Sequence, residues 1–521
     1  MPVGESVLRG ALLLSLAGIL CKLLGAAYRI PLVRLIGDEG IGLYQMAYPI
    51  YLVFMALSTA GMPLAVSRLV AERSARGDIR GMRRILWLAL ILLGGLGLAG
   101  GAIMAAGAGF FTRRVVADQR AYPVILSLAP AVPLMSLMAA LRGYFQGCRN
   151  MLPSAMSQLV EQVVRVATLL ALAVILLPLG VERAAAGAAF GAAAGGAAGL
   201  ALLVWWHLAH PAVLAPGAAA PSPSMPALAW RLLRVAGPVG FGALLLPLMQ
   251  AIDSVLVPGS LQAIGYDAGR ATAALGQLGN AWAVVYVPTT FTGALAISLV
   301  PAVTEAWARR ERSSAHGLIG QALRASALLC LPAAAGLWIL AKEICIVLYG
   351  SATAADALRI LAPAAFFLGM QGVATGALQG CGHTVAPVRN FMLGFALKVT
   401  VTGLLCAMPS FGPRGAGLGT VLGSALTMSL NLFDLRRMTG YPAGLIRLVS
   451  KTFLAAAAML ACLAGLGRTG LVKLNPYWRL GILLPAGIAV FGLTLALAGG
   501  VGRADVEVLR RLAGGAAESQ T

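Results

Sequence analysis

Six charged side chains lie inside otherwise apolar stretches of this 521-residue chain: Lys22, Arg29, Glu161, Arg165, Asp253 and Lys398. A charge within a membrane span is costly, so it faces a cavity, a ligand or another charge. Lys22 and Arg29 are two helical turns apart and therefore share one helix face. Glu161 and Arg165 stand at i, i+4, the spacing at which a carboxylate and a guanidinium can neutralise one another. Lys398 has no acid within a turn of it, and Asp253 follows the uncharged run 235–252. Cations outnumber acids four to two in this set, a balance that favours an anionic ligand. The alternative for Arg29, and for Arg34 beyond it, is snorkelling to headgroups at a helix end. Lys22 is too deep in its span for that.

The segments carrying these charges belong to a membrane. Only 11% of the residues are charged and 59% are hydrophobic, whereas a soluble domain carries about 25% charged residues. Such a chain cannot cover a soluble surface, which implies an all-α integral membrane protein. The net charge of +21 does not indicate nucleic-acid binding, because the arginines cluster between apolar runs and form no basic stripe. Anionic lipid and the retention of cations on the cytoplasmic side account for the excess. The seven cysteines show no C-x-x-C pair and read as small apolar fillers. The four histidines lack ligand spacing, and G-x-x-x-x-G-K-[ST] is absent. No metal site, cofactor or ATP hydrolysis by the chain is therefore expected. The first apolar run lacks an A-x-A-like cleavage site and reads as a retained span.

A span needs about 20 mainly apolar residues, and the sequence offers fourteen such runs. They centre near Gly18, Met55, Gly95, Leu134, Val166, Ala194, Leu245, Tyr286, Pro332, Phe367, Thr400, Leu426, Ala458 and Ile488. Pro31 is expected to end the first. With the N-terminus inside, the inner loops hold roughly twice the Lys and Arg of the outer ones, which places both termini in the cytoplasm. The charge-free segment 211–228, rich in Pro, Ala and Ser, reads as a linker. It separates an N-terminal lobe (1–210) from a C-terminal lobe (229–440), with a final pair of spans and a tail in 441–521. A parallel repeat supports the division. LAPAVPLMSLMAALRGYFQGC from Leu128 matches LAPAAFFLGMQGVATGALQGC from Leu361, and Pro130, Gln146 and Cys148 recur as Pro363, Gln379 and Cys381 at one offset. The same offset carries Arg165 onto Lys398.

KLLGAAYRIPLVRLIGDEGIGLYQMAYPIY (22–51) with STAGMPLAVSRLVAE (58–72) resembles the opening of the polysaccharide-biosynthesis-type flippases that include stage V sporulation protein B and the lipid II flippase MurJ. The resemblance implies two six-helix lobes and a terminal helix pair. It further implies export of a polyprenyl-diphosphate-linked cell-wall precursor across the cytoplasmic membrane by alternating access, without enzymatic chemistry. Lys22 and Arg29 would then bind the diphosphate head, with Arg165 and Lys398 as further substrate-binding cations. Residues 450–499 would line a groove for the polyprenyl tail. Asp253 and Asn390 match, in part, a sodium site of some relatives. The partners implied are the lipid-linked anionic precursor, the bilayer and the cell-wall synthesis machinery. The driving force would be the membrane potential or a Na+ or H+ gradient.

Lys398 lies where a second acid of such a sodium site is expected. A bend of the seventh span at Pro238 and Pro247 would let Asp253 reach it, with the ammonium replacing the ion. The alternatives are another exporter of the same superfamily, for a lipid-linked polysaccharide repeat unit or for drugs and cations, and, from other classes, a glycosyltransferase or a scaffold. A drug or cation exporter of the same superfamily should show acids dominating its lobes. A polytopic polyprenyl-dependent glycosyltransferase needs catalytic carboxylates in a large outer loop, whereas the outer acids here are scattered over short loops. A non-transporting assembly scaffold is the third alternative.

Overall fold

The computed structural model describes residues 27–59, 61–210, 224–441, 445–467 and 474–500, with parts of 14–25; at 237–243, 245–246, 249 and 445–449 it describes the backbone alone. Most of these residues are helical, and no strand occurs among them. By packing the chain forms two compact units, Met1–Gly279 and Asn280–Thr521. The first holds α1 (Arg29–Thr59), α2 (Met62–Ser74), α3 (Ile79–Ala106), α4 (Tyr122–Leu128), α5 (Ala131–Gly147), α6 (Leu152–Leu176), α7 (Val181–Ala209) and α8 (Met225–Ala263). α9 (Ala268–Ala308) begins in the first unit and continues into the second, followed by α10 (Arg312–Ile339), α11 (Ala341–Tyr349), α12 (Ala355–Gly380), α13 (Val385–Cys406), α14 (Arg414–Thr439), α15 (Leu445–Leu466) and α16 (Pro476–Leu497).

Among the described residues eleven helices are long and apolar enough to cross a membrane. One of them, 23–74, covers two of the expected runs because the chain bends within it rather than stopping. The bend is not at Pro31. Leu32 N–H still bonds Tyr28 O at 3.1 Å, so the proline lies in a helical turn whose missing N–H is tolerated. The break comes at Gly37, with φ 66° and ψ −176°, a conformation that side chains oppose and glycine accepts.

The packing boundary at 279–280 lies beyond the linker expected at 211–228, most of which (211–223) is outside the described residues. Residues 225–279 join the first unit because they bond to it. Arg231 Nη2 reaches Glu72 Oε2 at 2.7 Å, and Gln262 Nε2 donates to Ala117 O at 3.1 Å. Leu228, Leu232 and Ala236 are buried with Met62, Val66 and Leu69. α1 and α9 then cross at glycines. A Cβ on Gly42 would come within 2.0 Å of Thr272 O, and one on Gly276 within 1.9 Å of Asp38 O.

The Gly/Ala-rich sixth run packs on α6 through a four-residue glycine period. Gly187, Gly191, Gly195 and Gly199 of α7 lie on one face, and each touches α6 backbone or Cβ: Leu172, Arg165, Glu161 and Ser157 in turn. Small residues at this spacing let helix backbones approach closely. The helix positions Glu161 and Arg165 by gripping their main chain.

In the second unit α13 and α14 meet through the same device, with Gly394 against Gly423 O and Gly419 against Lys398 O. The terminal pair α15–α16 docks on α10 and α11. Leu340, Met459, Leu463 and Leu483 form its buried core, and Arg479 Nη1 pairs with Glu343 at 3.2 Å.

Candidate anion-binding site

The first unit collects four of its interior charges on adjacent helices. Glu161 of α6 divides its carboxylate between two guanidiniums. Oε1 accepts from Arg165 Nη2 at 2.8 Å and Oε2 from Arg142 Nη2 at 2.9 Å. All three side chains are largely withdrawn from solvent, at 13–17% exposure. Arg142 is held a second time, because its Nε donates to Ser157 Oγ at 2.9 Å and that hydroxyl donates to Ser154 O at 2.8 Å. Arg165 is held less completely. Its Nε is buried and has no hydrogen-bond partner among the described residues.

Arg29 reaches the same region from the first span. Cys21 Sγ donates to Gln158 O at 3.4 Å, and a Cβ on Gly25 would lie 3.6 Å from Gln162 Nε2. Steps of four residues on both chains mean that the first span and α6 run side by side in one direction, which carries Arg29 to the level of Arg165. Tyr44 lies within electrostatic range of both arginines, and Tyr48 within range of Arg165. Those two rings stack with centroids 5.3 Å apart, and Tyr51 follows at 5.6 Å from Tyr48. Arg29 Nε and Nη2 are buried without a hydrogen-bond partner among the described residues. A buried donor left unmet costs roughly 1–3 kcal/mol. Arg29, Arg142 and Arg165 against Glu161 leave a surplus of two positive charges, with three donor atoms awaiting an acceptor. An oxyanion with several acceptor oxygens fits that arrangement.

Near the Gly37 bend one arginine joins three segments of the first unit. Arg120 pairs with Glu39 of α1, and its Nη2 bonds Asp118 Oδ2 at 2.8 Å. The same Asp118 oxygen accepts from Thr272 Oγ1 of α9 at 2.7 Å. Burial alone would raise the Asp118 carboxyl, but the hydrogen bonds from Arg120 and Thr272 outweigh it and hold it below the ordinary carboxylate range.

The second unit has a neutral counterpart. Asp434 of α14 accepts from Arg389 Nη2 at 2.6 Å and from Asn390 Nδ2 at 2.7 Å. Asn390 Nδ2 also donates to Asn431 Oδ1 at 3.0 Å, and Asn431 Nδ2 to Thr375 Oγ1 at 3.0 Å. Asn390 and Asn431 are fully buried.

Of the residues singled out from sequence, Arg165 pairs with Glu161 in the first unit, and Arg29 of the same unit shares with Arg165 an interaction with Tyr44. Lys22 lies outside the described residues. Asp253 is half-buried in α8 of the first unit; Lys398 is half-buried in α13 of the second, two turns beyond Asn390. Arg142 and Arg389, which lie near the ends of apolar runs in the sequence, sit in helices and bond the carboxylates of Glu161 and Asp434. Asp434, Tyr44 and Tyr48 were not anticipated. The signal for Asp434 was the i, i+3 pair Asn431/Asp434 in an otherwise apolar stretch.

The polysaccharide biosynthesis protein family matches residues 7–307 and the MatE family residues 238–403. The chain is 32% identical to stage V sporulation protein B of Bacillus subtilis (strain 168), over 82% of this chain and 83% of that one. It is 26% identical to the lipid II flippase MurJ of the same organism, over 84% of each. Among solved structures, MurJ in an inward closed conformation superposes with a TM-score of 0.63 at 16% identity, covering 93% of this chain and 98% of that one. An inward-facing multidrug resistance MATE transporter of the MOP superfamily gives 0.68, also at 16% identity, covering 81% and 94%. The chain therefore belongs to the polysaccharide biosynthesis protein family, built on the multi-span fold that MurJ and the MATE transporters share.

Proposed function

We propose that the protein is a flippase that moves a polyprenyl-diphosphate-linked cell-wall precursor, similar to lipid II, across the cytoplasmic membrane by alternating access. The observation that carries this reading is the surplus of cationic donors at Arg29, Arg142 and Arg165, partly withdrawn from solvent, with stacked tyrosines within electrostatic range of Arg29 and Arg165. A diphosphate offers several charged acceptor oxygens, and sugars attached to it stack readily on aromatic rings. The relatives add weight: one is named a lipid II flippase and another a sporulation protein. Transport rather than enzymatic chemistry is part of the reading, as is the orientation with both termini in the cytoplasm.

A drug or cation exporter of the same superfamily, suggested by the MatE match, is disfavoured by the sign of the site. An organic cation would meet three arginines and one carboxylate. The deciding experiment is rescue of a bacterial strain depleted of its lipid II flippase. Growth restored by the wild-type chain and lost with Arg29→Ala and Arg165→Ala, at unchanged expression, supports the proposal. Failure of the wild type to rescue, together with resistance to cationic drugs on expression, would replace it with the exporter reading.

A further inference from the structure

The charge network contains an anion of its own. Glu161 takes one hydrogen bond from Arg165 and one from Arg142, which is the kind of contact a phosphate would make with the same guanidiniums. The two arginines are not held alike. Arg142 is braced by Ser157, itself fixed by Ser154, and both serines are fully buried. Arg165 has a buried Nε with no hydrogen-bond partner among the described residues, and beyond Glu161 it interacts with Tyr48 and, as Arg29 does, with Tyr44. Glu161 can therefore lose Arg165 and remain anchored on Arg142.

We infer that Glu161 is an internal stand-in for the substrate's phosphate: the diphosphate takes Arg165 from Glu161, so that loading is an exchange of anions rather than an addition. This rests on the reading of the cluster as a diphosphate site. The exchange has a consequence for the cycle. A transporter that returns empty must carry its site through the closed state without substrate, where two unpaired guanidiniums would be strongly disfavoured. Glu161 closes on Arg165 when the substrate leaves, so that of the three guanidiniums Arg29 alone faces the empty site without a carboxylate contact among the described residues, and the closing speeds release. The same competition lowers affinity. No bond is made or broken and no proton moves; one carboxylate contact is replaced by one phosphate contact.

The test uses the full-length protein in nanodiscs and undecaprenyl diphosphate as the probe, with binding and dissociation measured directly. Glu161→Gln removes the competing charge while keeping the side chain's shape. It should bind the probe about tenfold more tightly, the size of one charge-assisted contact, and release it correspondingly more slowly, with slower transport in liposomes. Adding Arg142→Gln restores the charge balance and should return affinity to near the wild-type value. Should Glu161→Gln fail to fold, Glu161→Asp keeps the charge on Arg142 but shortens the reach to Arg165, and a several-fold gain in affinity is expected. Equal or weaker binding by a folded variant overturns the exchange and leaves the flippase reading standing. No binding of the probe by the wild type overturns the flippase reading itself.

Discussion

Gly195 bears on Arg165 as Gly423 bears on Lys398: a Cβ added to either glycine would lie 2.9 Å and 2.8 Å, respectively, from the Cβ of its cation. One turn earlier, Gly191 meets Arg165 O at 2.7 Å and Gly419 meets Lys398 O at 2.9 Å. The two units thus fix a cation by the same pair of glycines four residues apart. The sequence offset that carries Arg165 onto Lys398 has a physical counterpart in this packing.

Larger residues at these glycines should loosen the grip. Gly195→Leu and Gly423→Leu are each expected to destabilise the protein by about 1–3 kcal/mol through overpacking. Gly95→Ala is the control, since nothing lies within 4 Å of a Cβ there, and a helical Gly→Ala change should be neutral or favourable. Thermal unfolding of the purified protein in detergent reads all three. Equal melting temperatures for Gly195→Leu and Gly95→Ala would contradict the close-packing account.

Arg29 separates binding from stability. Its Nε and Nη2 are buried without partners among the described residues, so Arg29→Ala should leave the melting temperature unchanged or raise it. Removal of a charge-assisted contact worth about 1.5–3 kcal/mol should weaken binding of undecaprenyl diphosphate by roughly tenfold to a hundredfold. Arg29→Lys should retain part of the affinity. A variant that loses stability but keeps affinity would make Arg29 a structural residue. Lys22→Gln, assayed in the same way, tests the neighbouring cation.

Much of this was readable before the structure. The apolar runs locate the helices because a bilayer demands length and hydrophobicity together, and the i, i+4 spacing of Glu161 and Arg165 places them in contact. What escaped was set by tertiary packing. Arg142 and Arg389 fall near the ends of apolar runs, where a count of loop cations absorbs them, and only the fold shows each turned onto a carboxylate. Pro31 reads as a helix end because proline interrupts a helix, whereas the chain stays helical there and breaks at Gly37, which has the positive φ. The period of Gly187, Gly191, Gly195 and Gly199 was visible in the sequence, but its partner, α6, was not.

Asp118 gives the protein an acid-sensitive staple. Its folded carboxyl lies below the ordinary range, so the stability it contributes is present above the unfolded value, about 3.9, and is lost as pH falls through the lower folded value. Asp118→Asn should lower the melting temperature at neutral pH. It should also flatten the dependence of melting temperature on pH below about pH 4, where Asp carboxyls protonate. A mutant curve parallel to the wild type across the acid range would show that Asp118 carries none of that dependence.

Orientation is tested by single cysteines in a background lacking the native ones. Ser74→Cys and Gln119→Cys should label from opposite sides of the membrane, with Ser74→Cys protected from an impermeant reagent in intact cells. Labelling of Ser74→Cys from outside would invert the topology.

The last expectation concerns the driving ion. The family resemblance matches Asp253 and Asn390, in part, to a sodium site, yet Asn390 binds a carboxylate of its own unit, Asp434, which already accepts from Arg389 at 2.6 Å. A sodium ion at Asp434 would have to displace a guanidinium. Asn390 Oδ1 is also engaged, accepting from Arg389 Nε at 3.2 Å and from Nη2 at 3.1 Å. The wild-type melting temperature should therefore be the same in sodium and potassium chloride. Arg389→Ala frees oxygens of Asp434 and Asn390 beside Asn431 and Thr375, a set suited to a hard cation. Stabilisation by sodium over potassium should then appear in that variant alone. Transport in liposomes with sodium and proton gradients imposed separately completes the test. Sodium-driven transport by the wild type, undiminished in Asp434→Asn, would place the ion elsewhere and reduce the Arg389–Asp434 pair to a structural brace.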